Sequence, residues 1–174
     1  TFVFNVSRFT SYRAGSTPVV ESVVIEPESP DSTDELACYA NVSDPDNASV
    51  HVSFTWYVND THNTSTTVEC ATGVCYSDVN ITQTYKDWNY TCQAQADDGI
   101  SSSERVNSTT AVVGNSIPSI ALIEPAHNAN ISNGSDLTNR TPLLRWNSSD
   151  IDGDTLRFDI NISCYPSCSD DDRH

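Results

Sequence analysis

The residues with the clearest metal-binding chemistry are three aspartates at alternating positions. Asp150, Asp152 and Asp154 offer carboxylate oxygens, the ligand type that calcium prefers. The run lacks the later bidentate glutamate of an EF-hand, and aspartate with glycine is also what a tight turn requires. The turn is the favoured interpretation. No cofactor is expected apart from covalent N-linked glycans and, as the alternative here, calcium.

A catalytic constellation is absent from the sequence. Its four histidines are scattered, and no serine or cysteine stands with them in a nucleophile arrangement. There is no phosphate-binding loop, no metalloprotease motif and no carboxylate pair in a setting that would raise a pKa. The sequence therefore predicts a protein that is not an enzyme and has no catalytic residues.

The six cysteines carry redox chemistry, and their spacing favours disulfides. Six cysteines allow fifteen pairings. Two pairs enclose only four and three residues, so each can close a short loop, and elimination leaves the third pair: Cys70–Cys75, Cys164–Cys168 and Cys38–Cys92. Zinc binding by the short pairs is the alternative, although no histidine lies beside either of them. Disulfides indicate an oxidising compartment.

Asparagine is the residue type with the strongest pattern. Thirteen of the fifteen asparagines begin an N-x-Ser/Thr acceptor for N-linked glycosylation, whereas composition alone would place about four there. A polar surface that forms such triplets by accident is the alternative. The pattern predicts a heavily glycosylated extracellular or cell-surface protein with these acceptors: Asn5, Asn41, Asn47, Asn59, Asn63, Asn80, Asn89, Asn107, Asn130, Asn133, Asn139, Asn147 and Asn161.

Charge and hydropathy exclude several classes of partner. The 174 residues have a formal charge of −16, which repels nucleic acids and anionic membranes. No segment approaches the roughly 18 apolar residues of a membrane helix, so no direct membrane insertion is expected. The sequence begins with threonine and contains no methionine, which predicts a processed product or a piece of a longer chain.

The elements that carry these residues are strands, because apolar residues alternate with polar ones and no long 3.6-residue stripe occurs. Alternation also places the sequon asparagines opposite the apolar side chains, as with Asn41 and Asn89, and it places Trp56, Trp88 and Trp146 inward. An all-β chain is predicted, with strands at Val19–Glu26, Glu35–Val42, Val50–Val58, Val68–Ile81, Trp88–Ala96, Ser103–Val113, Ile120–Glu124, Pro142–Trp146 and Leu156–Ile162, and an extended strand at residues 1–7.

The order Cys38, Trp56 and Tyr90-Thr91-Cys92 resembles the immunoglobulin-like sandwich. This resemblance implies that the two cysteines join strands B and F, that the tryptophan packs on them, and that the tyrosine forms a tyrosine corner. The insertion of a second cysteine pair between strands C and F departs from the family pattern.

The chain also repeats itself. NVSDPDNASVHVSFTWYV from Asn41 matches NSSDIDGDTLRFDINI from Asn147, and VVIEP matches ALIEP upstream. TPxLxWxxSDxDGDTLxFxI resembles fibronectin type III or immunoglobulin-like repeats of prokaryotic, especially archaeal, cell-surface proteins. The predicted organisation is an N-terminal strand and linker (1–17), a first sandwich (18–114) and a second, strand-deficient domain (115–174).

The N-terminal strand and the strand-deficient second domain together suggest an assembly. The apolar side chains of the first strand, Phe2, Phe4 and Val6, would fill a face of the second domain that is lined by Leu144, Trp146, Phe158 and Ile160. Donation from one copy to the next is head-to-tail, so the predicted product is a pilus-like structural filament or surface assembly, a homopolymer.

Three alternatives stay open at this point. In the first, residues 1–7 are the A strand of the first sandwich and VVESVVIEP, residues 19–27, is an A′ strand. In the second, the chain is cut from a longer repeat protein, and the strands that the second domain needs lie in further sequence. In the third, the chain is an adhesin or receptor ectodomain that binds a partner through its loops.

Overall fold

The computed structural model describes residues 15–124 and 143–161, and every regular element within them is a β-strand. None of these residues belongs to a helix capable of crossing a membrane. The chain divides into two compact units between Ser116 and Ile117. The strands are β1 (Val19–Glu26), β2 (Ala37–Ser43), β3 (Ser49–Val58), β4 (Thr61–Ala71), β5 (Gly73–Tyr76), β6 (Asn89–Asp97), β7 (Val106–Asn107), β8 (Ala111–Val112), β9 (Ser119–Glu124) and β10 (Arg145–Ser149).

The first unit contains two antiparallel sheets. One has the order β1-β2-β5, and the other has the order β4-β3-β6-β7, with β8 also paired to β6. The long strands β3 and β6 are in register from His51 opposite Asp97 to Val58 opposite Tyr90. Alternation along both strands turns every second side chain toward the other sheet, as the sequence predicts.

A single hydrophobic core fills the space between the two sheets. The Cys38–Cys92 disulfide crosses it from β2 to β6, with the Cα atoms 6.3 Å apart. Trp56 lies fully buried in the middle. The other fully enclosed side chains include Leu36, Ala40, Val42, Val50, Val52, Phe54, Tyr90, Ala94, Ala96 and Val113.

The predicted strand Val68–Ile81 is wrong, because the chain changes sheets within it. β4 pairs with β3 as far as Ala71, and β5 pairs with β2 from Gly73 onward. Gly73 makes the crossing with a φ of 121°, a conformation that side chains with a Cβ rarely adopt. The Cys70–Cys75 disulfide joins the two strands on either side of this crossing.

The predicted strand Ser103–Val113 is interrupted, with β7 and β8 as its two paired pieces. Serine hydroxyls replace backbone carbonyls as partners of β6: Ser103 Oγ accepts from the backbone N–H of Ala96 at 2.9 Å, and Ser108 Oγ accepts from Cys92 at 3.1 Å. Both serines are buried. Side-chain hydrogen bonds of this kind compete with the backbone ladder and interrupt it.

The prediction that the side chain of Trp88 points into the core is also wrong, since this side chain is 41% exposed. β6 begins one residue later, at Asn89, and Asp87 before the tryptophan has a φ of 64°. Alternation therefore applies from Asn89 onward and does not extend back through the turn. Tyr90 and Cys92 on the same predicted face are buried.

In the second unit, β9 and β10 form a two-stranded antiparallel sheet. β10 begins later than the predicted strand Pro142–Trp146 and continues to Ser149. The predicted strand Leu156–Ile162 is not formed over its described part, 156–161, because no described segment supplies ladder hydrogen bonds to it. Within its described residues, the second unit therefore has a small sheet and a segment without a ladder partner.

Candidate functional site

An apolar cleft in the second unit is the candidate site, and the register of its two strands builds it. Trp146 of β10 stands opposite Leu122 of β9, and Ser148 stands opposite Ile120. Opposite residues share a face, and alternate residues along a strand share that face as well. One side of the small sheet therefore groups Ile120, Leu122 and Trp146, with Ser148 as its polar member, and Leu144 lies beside the same cleft.

The segment after β10 completes the cleft. The ring of Phe158 lies against Trp146, with centroids 5.4 Å apart and planes inclined by 53°. Ile160 lines the same space, which has a volume of about 540 Å³. Ile120 and Ile160 are 66% and 57% exposed, so most of their apolar surface remains in contact with water. Exposed apolar area grouped in one place marks a binding surface.

Polar side chains stand at the edges of this cleft. Asp159 and Asn161 line it beside the aromatic pair. Arg145 lies 3.5 Å from Glu124 across the two strands, an exposed ion pair of small energetic weight. The described residues thus give the site an apolar floor and a polar edge, and none of those that line it form an acid and base pair.

The sequence predicted four of the side chains in the cleft, and the structure brings all four together: Leu144, Trp146, Phe158 and Ile160. It missed Ile120 and Leu122, although the alternation in SIALIE was a usable signal for them. The proposed donor residues Phe2, Phe4 and Val6 lie outside the described residues.

The sequon asparagines in the described residues all reach solvent. Asn41 and Asn47 are half-buried. The exposed ones are Asn59, Asn63, Asn80, Asn89, Asn107, Asn147 and Asn161. Attachment of a glycan requires such access. The remaining predicted acceptors, Asn5, Asn130, Asn133 and Asn139, lie outside the described residues.

The aspartate run 150–154 forms a hydrogen-bonded turn. Asp150 Oδ1 accepts from the backbone N–H of Asp152 at 2.9 Å and from that of Asp154 at 3.4 Å. Carboxylate oxygens of the three residues lie within 4.8 Å of one another, a spacing that also suits a cation. The internal bonds account for the acidic residues as turn formers.

The same hydrogen bond recurs at the corresponding place in the first unit. Asp44, which follows β2, accepts from the backbone N–H of Asp46 at 2.9 Å. Its side chain also accepts from Asn47, and these bonds hold the pKa of Asp44 below its ordinary value. Asp44 and Asp150, which the sequence repeat aligns, therefore accept the same type of hydrogen bond within their turns.

Two of the three predicted disulfides lie in the described residues and are formed, Cys38–Cys92 and Cys70–Cys75. Such bonds persist in oxidising compartments, which is in keeping with an extracellular protein. The predicted pair Cys164–Cys168 lies outside the described residues.

Comparison with known proteins gives no relative from which a function could be transferred. No family model matches the chain, and no curated protein or solved structure matches it.

Proposed function

We propose that this chain is a structural subunit of an extracellular, N-glycosylated filament or surface assembly. Residues 1–7 of one copy would insert as a strand into the apolar cleft of the next copy. The cleft lined by Ile120, Leu122, Trp146, Phe158 and Ile160 is the single observation that carries this proposal. Its apolar floor is open to water within the described residues, and burying such side chains on a partner is favourable.

The chemistry of residues 1–7 suits this cleft. Phe2, Phe4 and Val6 are alternate residues, so in an extended strand their side chains share one face and span about 13 Å. Ile120 and Leu122 repeat with the same two-residue period on β9. A donor strand would place one apolar row against the other and turn Asn5 to the opposite side.

The backbone of residues 156–161 offers a second reason for strand addition. This segment has no ladder partner among the described residues, yet Phe158 and Ile160 already line the cleft. A strand that enters beside it would supply main-chain hydrogen bonds for affinity, while the cleft would select apolar side chains at alternate positions.

Transfer of a strand between copies predicts an open, head-to-tail chain of subunits. The donor and the acceptor are different surfaces, so the contact is heterologous, and it extends without limit unless its rotation closes a ring. The acidic, sequon-rich surface is suited to the outside of such an assembly because it favours solubility.

The first unit would act as an immunoglobulin-like spacer. Support comes from the Cys38–Cys92 bond between the two sheets, from the buried Trp56 on β3, and from Tyr90, which is buried near the start of β6. These are the positions that the resemblance assigns to strands B, C and F.

Complementation between two variants tests the proposal. Phe4→Asp removes a working donor, and Leu122→Asp places a charge on the floor of the cleft and removes a working acceptor. Each variant alone should stay monomeric in sedimentation velocity experiments. Their mixture should form dimers and no longer species, because one intact donor meets one intact acceptor.

The matched control is Asn5→Gln, which changes the opposite face of the same strand and should still polymerise. Leu122 is 56% exposed, so its replacement should leave the second unit folded, which circular dichroism checks. A wild-type chain that stays monomeric at high concentration, or polymers that persist in Phe4→Asp, would contradict strand donation.

A further inference from the structure

A second cleft lies in the first unit and has a pair of exposed aromatic rings at its edge. The ring centroids of Tyr85 and Trp88 are 4.6 Å apart, and the planes are inclined by 40°. Their side chains are 43% and 41% exposed. Neither ring is used by the core or by the proposed strand exchange, so the pair requires its own explanation.

The turn that carries the rings is held by the backbone. Trp88 N–H donates to the carbonyl of Tyr85 at 3.1 Å, and Asp87 N–H donates to the carbonyl of Val113 at 2.8 Å. Asp87 has a φ of 64°, which turns the chain just before β6 begins. The aromatic pair is therefore positioned in advance of any ligand, which lowers the entropic cost of binding.

The described residues that line this cleft are uncharged. Its volume is about 410 Å³, and hydroxyl and amide side chains line it together with apolar ones. Aromatic faces carry partial negative charge and attract the polarised C–H groups of a sugar ring, while amides and hydroxyls bond the sugar hydroxyls. The polar members of the lining are Asn63, Thr64, Asn80, Thr82 and Gln83.

Two of these residues are glycosylation acceptors. Asn63 begins Asn-Thr-Ser on β4, and Asn80 begins Asn-Ile-Thr after β5. Asn63 is exposed, and the amide of Asn80 donates to Glu35 at 3.1 Å, a bond that its second hydrogen can keep after glycan attachment. The acceptors and the aromatic pair thus share one cleft.

We infer that the Tyr85–Trp88 pair packs against the N-linked glycans carried by Asn63 and Asn80. This inference rests on the glycosylation part of the proposed function. Attachment in the same cleft gives the sugars a high effective concentration at the rings, so even a weak stacking contact is populated. The chain's own glycan would then cover an aromatic surface that is otherwise open to water.

Hydroxyl-radical footprinting with mass spectrometry tests this inference on the full glycosylated chain. Trp88 should be oxidised about fivefold more slowly in the wild type than in the double variant Asn63→Gln/Asn80→Gln, the protection expected from a typical aromatic contact. Ser65→Ala/Thr82→Ala removes both acceptor triplets without touching the asparagines, and it should expose Trp88 equally.

Asn107→Gln is the matched control, because it removes an exposed acceptor on β7 that does not line the cleft. Oxidation of Trp88 should stay at the wild-type level in this variant. Equal oxidation of Trp88 in the wild type and both double variants, with glycans detected on Asn63 and Asn80, overturns the inference alone.

The remaining outcomes are distinguishable. Absence of glycan from all acceptors in the natural source overturns both this inference and the glycosylation part of the proposed function. A further arm adds glycan released from the same protein to the unglycosylated chain. If this free glycan protects Trp88 and the attached glycans do not, the rings bind a partner's sugar, and the inference is overturned.

Discussion

The indole Nε1 of Trp56 donates a 3.0 Å hydrogen bond to the backbone carbonyl of Val79. The tryptophan is fully buried on β3. Val79 follows β5, which belongs to the other sheet. The bond therefore links β3 to the loop that follows β5, a contact separate from the Cys38–Cys92 disulfide.

Trp56→Phe should lower the free energy of unfolding by about 2 kcal/mol, because it leaves a cavity and removes one of the two hydrogen bonds that the Val79 carbonyl accepts, the other coming from Ser77 Oγ. Urea denaturation followed by far-UV circular dichroism measures this loss. Trp88→Phe changes an exposed ring and should cost less than about 1 kcal/mol. Equal losses for the two variants would contradict the central position of Trp56.

The two disulfides should differ in their effect on stability. They span 54 and 5 residues, for which the chain-entropy relation gives about 4 and about 2 kcal/mol. Cys38→Ala/Cys92→Ala should therefore reduce the unfolding free energy more than Cys70→Ala/Cys75→Ala. Urea midpoints of the two double variants provide the comparison, and the reverse order would show that strain or denatured-state structure outweighs loop length.

Gly73→Ala should destabilise the first unit by about 1 to 2 kcal/mol. The cause is the backbone alone, since a Cβ at this position would have no atom within 4 Å while φ is 121°. Gly15→Ala is the control, because its Cβ would make ordinary contacts of 3.5 and 3.6 Å. Equal thermal unfolding midpoints for the two variants would mean that the backbone at residue 73 adjusts to accept a Cβ without strain.

Asp44 should contribute to acid sensitivity. The side-chain bond from Asn47 and the backbone bond from Asp46 hold its pKa below the ordinary 3.8. A group with a lowered pKa stabilises the fold above its unfolded pKa, and this stabilisation is lost as pH falls through the folded value. Asp44→Asn should thus be less stable than the wild type at pH 7, with the difference shrinking below pH 3.8.

Urea midpoints between pH 7 and the acid limit measure this difference. Asp60→Asn is the control, since it removes one exposed acidic group and retains the Asn59 acceptor triplet. A constant gap between Asp44→Asn and the wild type at every pH would contradict the titration of Asp44 as the cause.

Much of the first unit was predictable because alternation is a local property. The bounds of β1 agree with the predicted Val19–Glu26, and the inward residues of β2 and β3 are buried as expected. The prediction failed at Gly73 and Trp88, where the chain turns. A two-residue period carries no information on where a strand leaves one sheet for another.

The cleft in the second unit was likewise predictable only in part. Leu144, Trp146, Phe158 and Ile160 could be grouped from their spacing, because each lies on the apolar side of an alternating segment. Their contact with β9 could not be predicted from spacing, because it depends on the pairing of Trp146 with Leu122. Likewise, the expected strand at 156–162 has an alternating pattern but finds no ladder partner in the described chain.

The sequence by itself determined the all-β class and the side of each strand on which most acceptor asparagines lie, because neighbouring side chains in a strand must point in opposite directions. Only the tertiary structure decided which strands became neighbours. It thereby joined Cys38 to Cys92 across a core, brought Phe158 onto Trp146, and left Tyr85 and Trp88 open to water beside two acceptors. Contacts between distant segments depend on pairing partners, which a local period does not encode.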